Sequence, residues 1–213
     1  MTSTRSRWFL AGALAVAALG TTLGFAPGLM TAEAAPSVST TSSVSDPVGD
    51  ALHQAPAFQD VVRGRITKTA GGDFKLLMEV AVSVPADPDM PQPAQSEIWW
   101  MWFLDDATTS PKGYPASPGF DGGREFVVYV SWDGSGFAGR AIDRRPLLTG
   151  GEAIVTPVEF SIDGAIVEAV LPSSLVGDFP ASFGWGPRTI DWAAHVGSAG
   201  FHSIDDAEAI FNP

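Results

Sequence analysis

The chain has 213 residues, with 24 acidic against 12 basic side chains, a formal net charge of −12 and no cysteine. Such acidity argues against a nucleic-acid partner and against an anionic membrane surface. Without cysteine there are no disulfides, no thiolate metal sites and no covalent haem attachment, so stability must come from the core.

Residues 1–34 have the layout of a secretory signal. Arg5 and Arg7 form a basic start, Trp8 to Gly20 is apolar, and Gly24, Pro27 and Gly28 break any helix. Ala32-Glu33-Ala34 then places small residues at −3 and −1 of a cleavage site. A cut after Ala34 is expected, because a cut after Ala35 would put Pro36 at +1. The apolar run is shorter than the roughly 20 residues of a spanning helix. The expected product is a secreted or cell-envelope protein with no membrane anchor after cleavage. Residues 35–45 are Ser/Thr-rich and predict a disordered leader. Residues 46–213 predict a single domain, long enough for a sizeable core.

Within that domain residues 58–68 alternate loosely, and Gly71-Gly72 signals a hairpin. Residues 73–84 then set Phe74, Leu76, Met78, Val80, Val82 and Val84 on one face, a period-2 strand pattern. A Pro- and Asp-rich loop runs from Pro85 to Pro93. Residues 97–104 (EIWWMWFL) are apolar on both faces, as in a central strand between two layers. Asp105, Asp106 and Asp121 bracket a long loop that reads as exposed and acidic, with a second cation site ordering the loop as the alternative. Residues 124–132 form another strand, and Asp133-Gly134 turns tightly into 136–143. Residues 152–160 and 164–171 are joined by Asp163-Gly164, and Pro157 marks the first as an edge strand. Residues 172–177 suit one helical turn. Residues 181–192 read as a last long strand, and 193–213 as an irregular tail. No stretch holds a 3.6-residue period. The sum is an all-β, antiparallel β-sandwich of jelly-roll type with roughly nine or ten strands. A closed barrel is the alternative.

Three stretches carry a resemblance. The first is Asp46-Pro47-Val48-Gly49-Asp50 followed by Pro56-Ala57-Phe58-Gln59-Asp60-Val61. The second is Trp102-Phe103-Leu104-Asp105-Asp106 followed, after a loop, by Gly123-Arg124-Glu125-Phe126-Val127-Val128. The third is Ser203-Ile204-Asp205-Asp206-Ala207. Their order resembles exported β-sandwich domains of the family 9 carbohydrate-binding-module-like and DOMON-like group, from Asp46 to about Ala207. The resemblance implies a non-catalytic module that binds sugar between aromatic side chains and often holds a structural calcium. Some branches bind haem. None is expected here, because no Met–His ligand pair stands in a recognisable context.

The residues themselves offer two candidate sites. Asp46 and Asp50 lie four apart across a Pro/Gly turn and can point at one cation. Calcium takes six to eight oxygens, so Asp60, or Asp205 and Asp206 from the other chain end, would complete the set. The alternative is a solvated turn whose aspartates cap backbone amides. The second site is aromatic. Trp99 and Trp100 must face opposite sides of their strand. Trp100, Trp185 and Trp192 are the candidates for a sugar-stacking surface, with core packing as the alternative. His195 and His202, with Asp191 and Asp205 nearby, have a spacing that is meaningful only on a helix. Ser198 lacks a nucleophile elbow, and no phosphate loop, dinucleotide fingerprint or HExxH occurs.

The expected function is therefore a secreted, monomeric, non-catalytic module for a carbohydrate or similar extracellular ligand, with calcium as the one cofactor in view. A structural or interaction protein of the cell envelope is the alternative, and a hydrolase the third reading. An open Trp-lined groove favours the first and fully buried tryptophans the second. A desolvated carboxylate or histidine in a deep pocket favours the third.

Overall fold

In the computed structural model the described residues are 39–51, 55–89, 95–106, 124–177, 179–195, 198–206 and 209–211. For residues 95, 96, 191–195, 198–206, 209 and 210 the backbone alone is described. Residues 1–34, where a signal is expected, lie outside them. The strands in chain order are β1 (Thr40–Ser45), β2 (Val61–Lys68), β3 (Phe74–Val80), β4 (Gln95–Asp105), β5 (Phe126–Trp132), β6 (Phe137–Asp143), β7 (Ile154–Pro157), β8 (Phe160–Asp163) and β9 (Ile166–Leu171). After one helical turn, α1 (Ser173–Val176), come β10 (Phe183–His195), β11 (Ser198–Asp206) and β12 (Ala209–Phe211).

These strands make two antiparallel sheets. The five-stranded sheet runs β1-β2-β3-β9-β8. The seven-stranded sheet runs β11-β10-β4-β5-β6-β7, with β12 also paired to β10. The glycine-marked turns fall where the sequence places them. Gly134 has φ 85°, which only glycine adopts freely, and Asp133 Oδ1 accepts the N–H groups of Ser135 and Gly136 beside it.

Strand period explains the core. Phe74, Leu76, Met78 and Val80 of β3 face Ile98, Trp100, Trp102 and Leu104 of β4 and Phe126, Val128, Val130 and Trp132 of β5. The indole N–H groups then tie the layers together. Trp100 donates to the Phe58 carbonyl at 2.9 Å, Trp102 to the Leu77 carbonyl at 3.3 Å, and Trp185 to the Ser42 hydroxyl at 3.0 Å. Thr189 adds a hydroxyl bond to the Gln59 carbonyl. In a chain without disulfides these buried bonds fix how one sheet sits on the other.

The all-β, two-layer expectation holds, and the structure differs from the sequence reading in detail. Residues 40–45, expected in a disordered leader, form β1. It pairs with β2 from Thr40 opposite Lys68 to Ser45 opposite Arg63. Its composition is polar, but its partners lie between 18 and 28 positions further along the chain, where local composition does not look. Residues 193–213, expected irregular, contain the end of β10, β11 and β12. The run 152–160 is divided. Its first half, β7, closes the seven-stranded sheet, and β8 closes the other, with Val158-Glu159 crossing between layers. The pattern 73–84 breaks after Val80, which leaves Val82 exposed.

Candidate functional site

Trp100 and Trp185 do not form a binding surface. Both are 0 % exposed and lie in the core, because their strand positions have the same parity as Trp102 and Phe183. Trp192 stands opposite Glu97 on β4 and Phe201 on β11, and its side chain is outside the described atoms.

The opposite parity of β4 carries the feature that sequence reasoning missed. Glu97, Trp99, Met101, Phe103 and Asp105 point to the outer side of the seven-stranded sheet. They are joined there by Val127 and Tyr129 of β5, Ile142 of β6 and Ile190 of β10. Trp99 and Tyr129 stack with ring centres 3.9 Å apart and 10° between planes. The Trp99 indole N–H donates to Glu97. Arg140 hydrogen-bonds Tyr129, which raises the arginine's own pKa, while burial pushes the phenol up. The result is an aromatic pair with an acid at one side and a guanidinium at the other. Trp99 is 8 % exposed and Tyr129 4 %, so this face is covered, although the described strands and turns form only two layers.

One end of the same face is charged. Asp106, Arg124, Glu125, Arg144 and Arg188 are all buried. The Arg124 guanidinium sits 3.6 Å from the Phe103 ring centre and that of Arg188 5.8 Å from it. Asp106, expected on an exposed loop, instead gives its backbone N–H to the Glu125 carboxylate. Burial raises Glu125 to about 7. The Asp106 N–H opposes this, and the charges of Asp105 and Asp106 add to it. The five-stranded sheet is different outside. Its outer face is solvated, with an Arg63–Glu79 ion pair at 2.6 Å and hydroxyl contact between Thr41 and Thr67.

The acidic candidates are only partly brought together. Asp60, 4 % exposed, accepts the Gly49 N–H on Oδ2 at 2.7 Å, so it ties down the turn between Asp46 and Asp50. Its Oδ1 is buried with no hydrogen-bond partner among the described residues. Asp50 is exposed. On β11, Asp205 stands opposite Thr189, whose hydroxyl reaches the residue before Asp60, and Asp206 stands opposite Arg188. The side chains of Asp205 and Asp206 are outside the described atoms. Among the described residues no three acidic or histidine side chains gather closely enough to hold a metal ion. His202 lies opposite Asp191 and His195 opposite Ser198, on strands rather than a helix.

Two hollows formed by described residues measure about 240 and 230 Å³. Both fall below the ~300 Å³ at which small-molecule sites begin. The larger opens between β7 and α1, over Phe126, Ala141 and Leu175.

Comparison with family models, curated proteins and solved structures finds no match to this chain. The likeness to carbohydrate-binding-module-like domains therefore rests on the sequence motifs alone. One signal in the sequence did point to the Trp99 face. Glu97 and Asp105 share its parity, whereas the Trp100 parity of β4 is wholly apolar from Ile98 to Leu104.

Proposed function

We propose that the protein is a secreted, non-catalytic β-sandwich module that binds a carbohydrate or a chemically similar extracellular ligand on the outer face of its seven-stranded sheet. The observation that supports this is the Trp99–Tyr129 stack between Glu97 and Arg140. Aromatic surface takes the C–H face of a sugar ring, and flanking charged groups orient its hydroxyls. An antiparallel sheet ordinarily has one apolar face and one solvated face. Here the second face carries apolar side chains too, packed under cover rather than exposed. Because it is covered, a ligand reaches the rings only when this face is exposed.

A glycan array tests the reading. The wild-type protein should bind at least one glycan, and Trp99→Ala should weaken that binding about tenfold or more, the scale of losing one aromatic anchor. No glycan bound, or binding unchanged in Trp99→Ala, overturns it. The burial of Trp100, Trp102 and Trp185 favours the second reading, an envelope protein with a structural or interaction role and no small ligand. A structural calcium beside Asp60 belongs to the first reading, supported by the unanswered Oδ1 of that residue.

A further inference from the structure

Glu125 is 1 % exposed and stands just before β5, on the charged end of the outer face. Its Oε2 accepts the Asp106 N–H, while Oε1 is buried with no hydrogen-bond partner among the described residues. A buried carboxylate with an unanswered oxygen favours its neutral form unless a cation lies beside it. The charged groups around it come from four places. Asp105 and Asp106 end β4, and Arg124 precedes Glu125 in the chain. Arg144 follows β6 and gives its backbone N–H to the Glu125 carbonyl at 2.8 Å. Arg188 of β10 shares the Phe103 ring with Arg124. The ion pairs between described residues do not include Glu125. Two carboxylates therefore act on it directly, and both disfavour its charge.

We propose that Glu125 is a proton-operated latch at the end of the β4–β5 pair, closed while the carboxyl group is protonated and opened when the proton leaves. In the closed state the bond from the Asp106 N–H to Oε2 holds Asp106 against the start of β5. That bond favours the ionised carboxylate, so opening is driven by the burial of Glu125 and the charges of Asp105 and Asp106, which outweigh it. Ionisation puts a third negative charge beside Asp105 and Asp106 in a place shut from water. Parting Asp106 from Glu125 admits water and relieves that repulsion. The position of the group near neutrality, about 7 against 4.5 when free, sets the working range. The closed form binds the proton more tightly than the open form. Opening therefore grows as pH rises from about 4.5 to about 7 and levels off above it.

Amide hydrogen exchange on the purified protein tests this, independently of what the outer face binds. After correction for intrinsic exchange, protection of the Asp106 amide should fall on the order of a hundredfold between about pH 5 and about pH 7. Glu125→Gln, uncharged at every pH, should hold the pH 5 protection throughout. Constant protection in the wild type, or the same fall in Glu125→Gln, overturns the latch. If the variant does not fold, the carboxyl carbon of Glu125 in the wild type decides by its NMR titration. A midpoint near 7 supports the proposal, and one below about 5 ends it.

Discussion

Gly64 of β2 has no room for a β-carbon. One built there would lie 2.6 and 2.8 Å from the Pro187 ring and 3.2 Å from Trp185, both on the opposite sheet. The sheets close to this distance because the residue has no side chain. Gly64→Ala should destabilise the fold by about 1–3 kcal/mol, the range of overpacked cores, as read by chemical denaturation. Gly136→Ala is the control, since nothing lies within 4 Å of that position. Asp60 gives a second prediction at this scale. If its buried oxygen answers a calcium ion, melting in millimolar calcium should exceed melting in EDTA. The gain would be about 2.7 kcal/mol at a hundredfold excess over the dissociation constant, and Asp60→Asn should abolish it. Identical wild-type curves would leave Asp60 as the cap of the Asp46–Asp50 turn. At this scale the sequence was half legible. The parity of β4 is visible in it, and Glu97 and Asp105 hint at which side turns outward, but the partners that bury the Trp100 side, such as Phe58 and Leu77, come only with the fold.

Arg145 joins elements that the sheets leave apart. It follows β6 and opens a 3-10 turn, Arg145–Thr149. Its guanidinium binds Asp143 at 2.9 and 2.8 Å, then the Val176 and Leu175 carbonyls of α1 at 2.9 and 3.0 Å. It also lies 4.5 Å from the Phe126 ring centre. One side chain thus fastens the end of β6 to the turn after β9, across the side of the sandwich where the larger hollow opens. The ion pair by itself is partly exposed and weak. The fork to two carbonyls is the larger part, and lysine cannot reproduce it. Arg145→Lys should therefore lose about 1–2 kcal/mol in denaturant unfolding, with a wild-type strand spectrum by circular dichroism. Hairpins such as β5–β6 were readable because Asp133-Gly134 is local. The split of 152–160 into β7 and β8 was not, because both halves carry ordinary strand residues and the crossing at Val158-Glu159 is decided by which sheet lacks an edge. The tail was unreadable for a related reason. Ser198–Asp206 has weak alternation and takes its order from β10.

The whole molecule has unlike faces. The outside of the five-stranded sheet is an ordinary solvated surface, while that of the seven-stranded sheet holds aromatic, aliphatic and buried charged side chains. Apart from the parity of Glu97 and Asp105 on β4, little that is local in the sequence reports this, since it follows from the stacking order of strands. Export is a separate expectation at this scale. The N-terminus of the secreted form should be Ala35, as read by mass spectrometry, and an intact Met1 or Thr2 on membrane-bound protein would defeat it. The bond from Trp185 to Ser42 spans 143 positions of the chain, and that from Thr189 to Gln59 spans 130. Closing such long loops lowers chain entropy before the contacts are made, so native structure is expected to form slowly, on the order of milliseconds to seconds. Until β10 is available, Trp100 and Trp102 have one neighbouring strand too few and the side of the sandwich at β1 stays open. Were the chain exported through a narrow channel, as its first 34 residues lead one to expect, that delay would keep it pliable during passage and leave cooperative folding for the far side.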